Sequence, residues 1–274
     1  MQNHTPETIC FNFQFLPGSE LILRQSTQST IVYEVVRLIN GVPLFWEGHW
    51  QRLLNSLNAI QSEIILDKTK LESFILLYIN NQKLYNTNIR IEIFDDNILF
   101  YNIQAEYPNE NQYTNGVHVN FICAIRENPT QKILRREWKK AMETQIKAEG
   151  VYESLLVNQE NLITEGSHTN LFFIKNNTLF SADESLILHG ITRMEVLRIA
   201  RQNKIPLIYQ ALHKDKIAQF DAAFLCATSL HILPISKIND CNYDVNNNLL
   251  RTLMIDFMEN INNEILGSSK KWGK

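Results

Sequence analysis

Apolar and polar positions alternate along this chain in patterns that predict short strands interleaved with helices. Ile31-Val32-Tyr33-Glu34-Val35-Val36-Arg37-Leu38 is a β-branched, apolar-rich run and predicts a strand; Asn40-Gly41 behind it predicts a hairpin turn, because both residues accept positive φ. From His49 to Gln61 the residues Leu53, Leu57 and Ile60 recur at three- and four-residue steps, the spacing of one helix face, and a second helix is expected over Leu71 to Ile79. Asn88-Ile89-Arg90-Ile91-Glu92-Ile93-Phe94 alternates as a half-buried strand does, and Asp95-Asp96-Asn97 turns it back into Ile98-Leu99-Phe100-Tyr101. The stretch from Glu106 to Gly116 is polar and rich in turn formers, so it is read as a linker between a domain of residues 1–110 and a larger one of residues 117–274.

Beyond it, Val117 to Ile125 predicts a strand. Gln131 to Ala148 predicts a helix with Leu134, Trp138, Ala141 and Met142 inward and Gly150 as its stop. Hairpins are expected around Asn158-Gln159-Glu160-Asn161 and Asn176-Asn177, a helix from Thr192, a buried strand at Phe224-Leu225-Cys226 and an amphipathic helix from Leu249 to Ile265. The pattern is that of an α/β chain with strands and helices in both domains.

Composition narrows the function classes. Hydrophobic residues make up 45% and charged residues 20%, as in ordinary globular proteins, and the net charge of -3 leaves no footprint for nucleic acid. Only Lys270-Lys271-Trp272-Gly273-Lys274 is locally basic, and it reads as a solvated terminus. Cys10, Cys123, Cys226 and Cys241 are far apart without a C-x-x-C pair, so neither a metal site nor a disulfide framework is expected. Residues Met1 to Glu7 lack the features of a signal peptide, and no apolar run has the length of a membrane span; a soluble cytoplasmic protein is the expectation.

Three stretches carry candidate chemistry: Thr164-Glu165-Gly166-Ser167-His168-Thr169-Asn170, Gly190-Ile191-Thr192-Arg193, and Ala227-Thr228-Ser229. The first offers a carboxylate at the end of an apolar strand, able to hold a ring nitrogen protonated. The second is a glycine turn opening a helix; Thr192 and Glu195 have the spacing of a capping box, which places free amides and the positive helix end just after Gly190, where phosphate binds well. The third supplies hydroxyls in a loop. A ligand with a phosphate at one end and a protonatable ring nitrogen at the other fits them, and pyridoxal phosphate is such a ligand. Arg52 can add a fork to the phosphate. A pyridoxal enzyme also needs a lysine with a depressed pKa. Lys132 is the candidate, since at the N-terminal end of the predicted helix the dipole favours the neutral amine; Lys139, Lys140 and Lys147 lie on later turns.

In this order the residues resemble the class IV aminotransferases, the fold-type IV pyridoxal phosphate enzymes. The likeness rests on Val32-Tyr33-Glu34-Val35-Val36 with Asn40-Gly41, His49-x-x-Arg52-Leu53, the Lys132 helix ending in Gly150-Val151-Tyr152-Glu153, Thr164-Glu165-Gly166-Ser167-x-x-Asn170-Leu171-Phe172, Gly190-Ile191-Thr192-Arg193, and Thr228 followed by Pro234. The resemblance implies a small N-terminal α/β domain and a larger domain with a barrel-like sheet and flanking helices, the cofactor between them, and commonly a homodimer. It implies that Lys132 is the Schiff-base lysine, that Glu165 pairs with the pyridine nitrogen, and that Arg52, Ile191, Thr192 and Thr228 hold the phosphate.

The family contains D-amino-acid and branched-chain aminotransferases and 4-amino-4-deoxychorismate lyase, which releases pyruvate and 4-aminobenzoate for folate synthesis. Phe94-Asp95-Asp96-Asn97 lacks the arginine and histidine of the D-amino-acid enzymes, and Glu137 stands where branched-chain enzymes carry a tyrosine. Arg136, four residues after Lys132, resembles the lyases, and the reading leans to that activity with the aminotransferases as alternatives. Tyr33, Arg90, Arg136 and Ser229 are the candidate contacts to a small amino substrate; Arg90 is equally readable as an exposed partner of Glu92. A protein that keeps the fold as a cofactor-binding or interaction module without chemistry is the non-enzyme alternative.

Overall fold

The computed structural model describes residues 5–25 and 29–273; residues 1–4 of the N-terminal stretch and Lys274 of the basic tail lie outside the described residues. The chain divides into two compact units, the first comprising Met1–Glu106, Gln131–Leu134 and Ile261–Lys274, the second Tyr107–Thr130 and Arg135–Asn260.

The first unit is built on β1 (Thr8–Phe11), β2 (Gln14–Pro17), α1 (Leu21–Arg24), β3 (Val32–Ile39), β4 (Val42–Pro43), α2 (Trp46–Ala59), α3 (Lys68–Asn81), β5 (Thr87–Phe94) and β6 (Asn97–Ile103). Its strands form one antiparallel sheet in the order β2-β1-β6-β5-β3-β4. The β3–β4 turn uses the predicted pair, with Asn40 at φ 52° and Gly41 at φ 75°, the double positive φ of a tight hairpin. On one face Val32, Val36, Ile89, Ile91, Ile93 and Phe100 pack with Leu53 and Leu57 of α2 and Leu71 and Ile75 of α3. On the other, Ile9, Ile31, Phe94, Leu99 and Tyr101 cluster with Tyr33 and Leu134.

Two sequence readings are corrected here. The strand expected to be half-buried is buried on both faces, Asn88, Arg90 and Glu92 being 1%, 8% and 0% exposed, because charged side chains satisfy each other instead of water. The basic tail is likewise not a solvated terminus: Trp272 is 2% exposed and packs edge-on to Trp46 at 5.8 Å. Lys271 bridges Glu47 (3.0 Å) and Glu72 (2.9 Å), which accepts in turn from Trp46 Nε1 (2.6 Å).

The second unit holds α4 (Glu110–Asn115), β7 (Val117–Cys123), α5 (Arg136–Glu149), β8 (Glu153–Val157), β9 (Leu162–Gly166), β10 (Asn170–Lys175), β11 (Thr178–Ser181), α6 (Ile191–Gln202), β12 (Leu207–Tyr209), β13 (Leu212–His213), β14 (Ala222–Ala227), β15 (His231–Ile238), β16 (Cys241–Asn242) and α7 (Asn248–Ser268), whose last turns belong to the first unit. Its sheet runs β12-β11-β10-β14-β15-β7-β8-β9-β13, with β16 beside β15. β7 and β8 are parallel, so the chain must cross over between them, and α5 makes the crossing. α4 stands inside the stretch read as a linker; Asn109 and Gln112 cap it reciprocally, which gives polar turn formers a helical use. Gly150 stops α5 with φ 64°.

Among the described residues no helix is long and apolar enough to cross a membrane, and no group of His, Cys, Asp and Glu is placed to hold a metal ion. The cysteines are free thiols. Burial pushes Cys10 and Cys226 up to about 12, so both stay protonated and unreactive at neutral pH.

Candidate functional site

In the second unit the chemistry gathers around Glu165. The carboxylate is 2% exposed. Its Oε1 accepts from Arg126 Nε at 2.8 Å, and its Oε2 from the Leu188 amide at 3.1 Å and Asn170 Nδ2 at 3.3 Å. Arg126 lies over the Trp138 ring at 4.9 Å and donates to the Ser167 carbonyl at 2.8 Å. The two side chains form a buried ion pair, Arg126 being 15% and Glu165 2% exposed at the side chain. Sequence reasoning passed over Arg126. Its only local signal is an arginine just past an apolar strand; the pairing comes from the order β7-β8-β9.

Asn170 links this carboxylate to the helix that follows. Besides Glu165 it donates to the Leu188 carbonyl at 2.8 Å, and a Cβ at Gly190 would stand 2.0 Å from its Oδ1. Only glycine leaves room there, so the requirement is steric. Gly190 is the N-cap of α6 and no side chain caps that end, which leaves the first-turn amides of Ile191 and Thr192 available to an anion. The expected capping box does not form. The helix begins at Ile191, one residue ahead of Thr192, so the Thr192 hydroxyl lies inside the first turn; Glu195 pairs with Arg198 at 2.8 Å instead. Asn170 is opposite Cys226 in the β10–β14 ladder, and Thr228 and Ser229 follow in the half-buried turn before β15.

Beneath Glu165 lies Glu153, 3% exposed, which accepts from Ser167 Oγ at 2.5 Å, the Ser154 amide at 2.8 Å and the His168 amide at 3.1 Å. Burial raises its pKa above the usual carboxylate range, and these neutral donors only partly oppose that. It fixes the turn that follows Glu165.

The first unit carries Lys132, but not on a helix. Residues 131–134 lie along β3 outside any helix: Ile133 bridges Val32, the Tyr33 amide donates to the Lys132 carbonyl at 3.0 Å, and the Leu134 amide donates to the Ile31 carbonyl at 2.8 Å. α5 starts only at Arg136, so a helix dipole cannot act on Lys132 as the sequence reading supposed. The edge of β3 offers backbone partners, and Leu134 gains an apolar cluster, which together outweigh helical periodicity over these residues. The Lys132 ammonium stands over the Tyr33 ring at 4.8 Å, and the Arg90 guanidinium over the same ring at 4.6 Å. Arg90 is held by Glu92, Nε to Oε1 at 2.5 Å.

Arg52 directs its fork at Glu34: Nε reaches Oε1 at 2.7 Å and Nη2 reaches Oε2 at 2.6 Å, while His49 Nδ1 meets Oε2 at 2.6 Å. Burial pushes the Glu34 carboxyl up, but Arg52 and His49 outweigh it and hold it at about 2. Arg136 is exposed at the start of α5.

Residues 31–238 match the family described as Amino-transferase class IV. A D-alanine aminotransferase of Bacillus licheniformis is 24% identical over 234 residues, covering 76% of this chain and 78% of that one. Among solved structures, a branched-chain amino acid aminotransferase of T.th., bound to pyridoxamine 5'-phosphate, superposes with a TM-score of 0.83 at 20% identity over 94% of this chain and 95% of that one. A Legionella pneumophila protein named as a 4-amino-4-deoxychorismate lyase gives 0.76 at 23% identity, covering 88% and 92%. The fold is theirs, and the matched segment spans well over half of the sequence. The chain belongs to the class IV aminotransferases, a family of pyridoxal phosphate enzymes.

Proposed function

We propose that this protein is a transaminase that moves the amino group of a small amino acid through pyridoxal phosphate. The single observation that carries the reading is the pair of cations on Tyr33: Lys132, suited to carry the cofactor, and Arg90, suited to hold a carboxylate, share one ring. When bound, the cofactor supplies an aldehyde that links to amines and a ring that withdraws electrons. Lys132 Nζ holds the cofactor and takes the proton from the substrate α-carbon. Glu165, ion-paired with Arg126, holds the ring nitrogen protonated. The Ile191 and Thr192 amides, Thr228 and Arg52 bind phosphate, and Tyr33, Arg90 and Ser229 face the substrate. The sequence likeness to the Bacillus licheniformis aminotransferase supports the reading.

The lyase is the second reading. It rested on Arg136, on the missing arginine and histidine at Phe94 to Asn97 and on Glu137; Arg136 is exposed at the start of α5, and with that support weakened we place the lyase behind transamination. A cytoplasmic homodimer accompanies both readings, and its oligomeric state is checked by light scattering of the purified protein.

The test is turnover of D-alanine, leucine and an aminated chorismate by purified protein loaded with pyridoxal phosphate. Keto-acid formation from an amino acid supports the proposal. Release of 4-aminobenzoate without keto-acid formation from either amino acid overturns it. Lys132→Ala is expected to lower turnover by at least about a thousandfold, a nucleophile-scale loss.

A further inference from the structure

α2 turns one buried, polar face toward β3. His49, Arg52 and Ser56 follow one another at steps of three and four residues, so they lie along the same side of the helix. They are 1%, 7% and 2% exposed. His49 and Arg52 both hold the Glu34 carboxylate of β3. Ser56 has a different partner. A serine inside a helix contributes little to it, and burying its hydroxyl costs free energy unless a hydrogen bond offsets the loss of water. Here that bond comes from the backbone amide of Lys132, which donates to Ser56 Oγ at 3.1 Å.

This contact completes the hold on the lysine's peptide. The Lys132 carbonyl already accepts from the Tyr33 amide, and beyond it Ile133 bridges Val32 and the Leu134 amide donates to the Ile31 carbonyl. Those partners are main chain and outlast any substitution, whereas the hold from α2 is a hydroxyl that one substitution removes. Residues 131–134 are an island of the first unit, the chain on both sides of them belonging to the second, so no helix or long strand of their own fixes them. The Lys132 side chain swings from that backbone on a flexible stem, and its ammonium stands over the Tyr33 ring at 4.8 Å. Burial first, with the Arg52 and Lys132 charges beside it, lowers the His49 pKa against the pull of Glu34, so the ammonium acts on the same polar face of α2. A backbone free to shift by about 1 Å would carry the amine off its line of approach, and misplacement on that scale costs rate out of proportion to its size.

We propose that Ser56 is a positioning residue for the cofactor lysine: its hydroxyl pins the Lys132 peptide to α2, the helix that also carries Arg52, and sets the line along which Nζ meets the cofactor aldehyde. Ser56 acts through the Lys132 backbone and need not touch cofactor or substrate. The inference rests on the reading of Lys132 as the lysine that carries the cofactor.

The experiment compares a ligand that links to lysine with one that does not. Purified protein stripped of cofactor is mixed with pyridoxal phosphate, whose capture joins Nζ to the aldehyde carbon by a double bond as water leaves. It is mixed separately with pyridoxine phosphate, which has an alcohol in place of the aldehyde and binds without linking. Capture is followed by visible absorbance, and pyridoxine phosphate binding by calorimetry. In Ser56→Ala the capture rate is expected to fall about tenfold, the scale of one hydrogen bond, while the pyridoxine phosphate affinity stays within about twofold of wild type. A merely structural serine would lower both or neither, and either result overturns the inference. Should Ser56→Ala fail to fold, Ser56→Cys, close to serine in size but with a sulfur that accepts weakly, is held to the same two readouts. Borohydride reduction of the wild-type complex and peptide mapping test the underlying reading separately. Cofactor found on Lys132 leaves the Ser56 variants to decide, and cofactor found on another lysine, or on none, overturns both.

Discussion

Glu34 in the first unit and Glu153 in the second are both buried carboxylates, 1% and 3% exposed, each with its oxygens engaged in hydrogen bonds. Their titration runs in opposite directions. Glu34 faces a guanidinium and an imidazole and is held at about 2, whereas Glu153 faces amides and a hydroxyl and is raised by burial. Filling the acceptor sites is therefore not enough to hold a buried charge; the sign of the partner decides. The first unit uses its carboxylate to aim Arg52, and the second uses one to pin a turn behind Glu165.

The largest expected effect comes from removing the Glu34 charge. Glu34→Gln strands the buried Arg52 guanidinium and is expected to cost about 3–5 kcal/mol in urea unfolding. Glu153→Gln strands no ion and is expected to cost about 1–2 kcal/mol in the same measurement. Equal losses would break the comparison. The smallest effect is in the pH dependence. Because the folded pKa of Glu34 is depressed, its contribution is complete above the unfolded value of about 4.3 and is lost as pH falls toward about 2. Glu153, with a raised folded pKa, is instead unfavourable at neutral pH, and that penalty fades as pH falls through its folded value. Unfolding free energies measured from pH 7 to pH 2 should thus lose their steepest acid slope in Glu34→Gln and keep it in Glu153→Gln.

What could be read from the sequence is what is decided locally. The Asn40-Gly41 turn and the Gly150 stop depend on a few adjacent residues, and the helix faces of α2 and α3 follow from spacing alone. Pairings across the sheets were illegible. Arg126 and Glu165 are 39 positions apart, and Glu34 with Arg52 joins a strand to a helix. Arg90 and Glu92 were visible as neighbours, yet nothing in a two-residue spacing says that both are buried. Lys132 shows the reverse failure: a helical period over Leu134, Trp138 and Met142 was real only from Arg136 onward, because the preceding residues found backbone partners on β3.

That segment, together with Trp272, bears on how the protein is made. The first unit contains residues 131–134 and 261–274, so a ribosome that has finished residue 106 has delivered a sheet in which the start of β3 around Val32 lacks its Ile133 partner and a core in which Trp46 lacks its edge-on neighbour. Domains commonly fold in the order of their synthesis. Here the earlier unit must wait for the later one to be translated before it can close, and nascent chains halted before residue 261 should expose the Trp46 side of the core to chaperones and proteases.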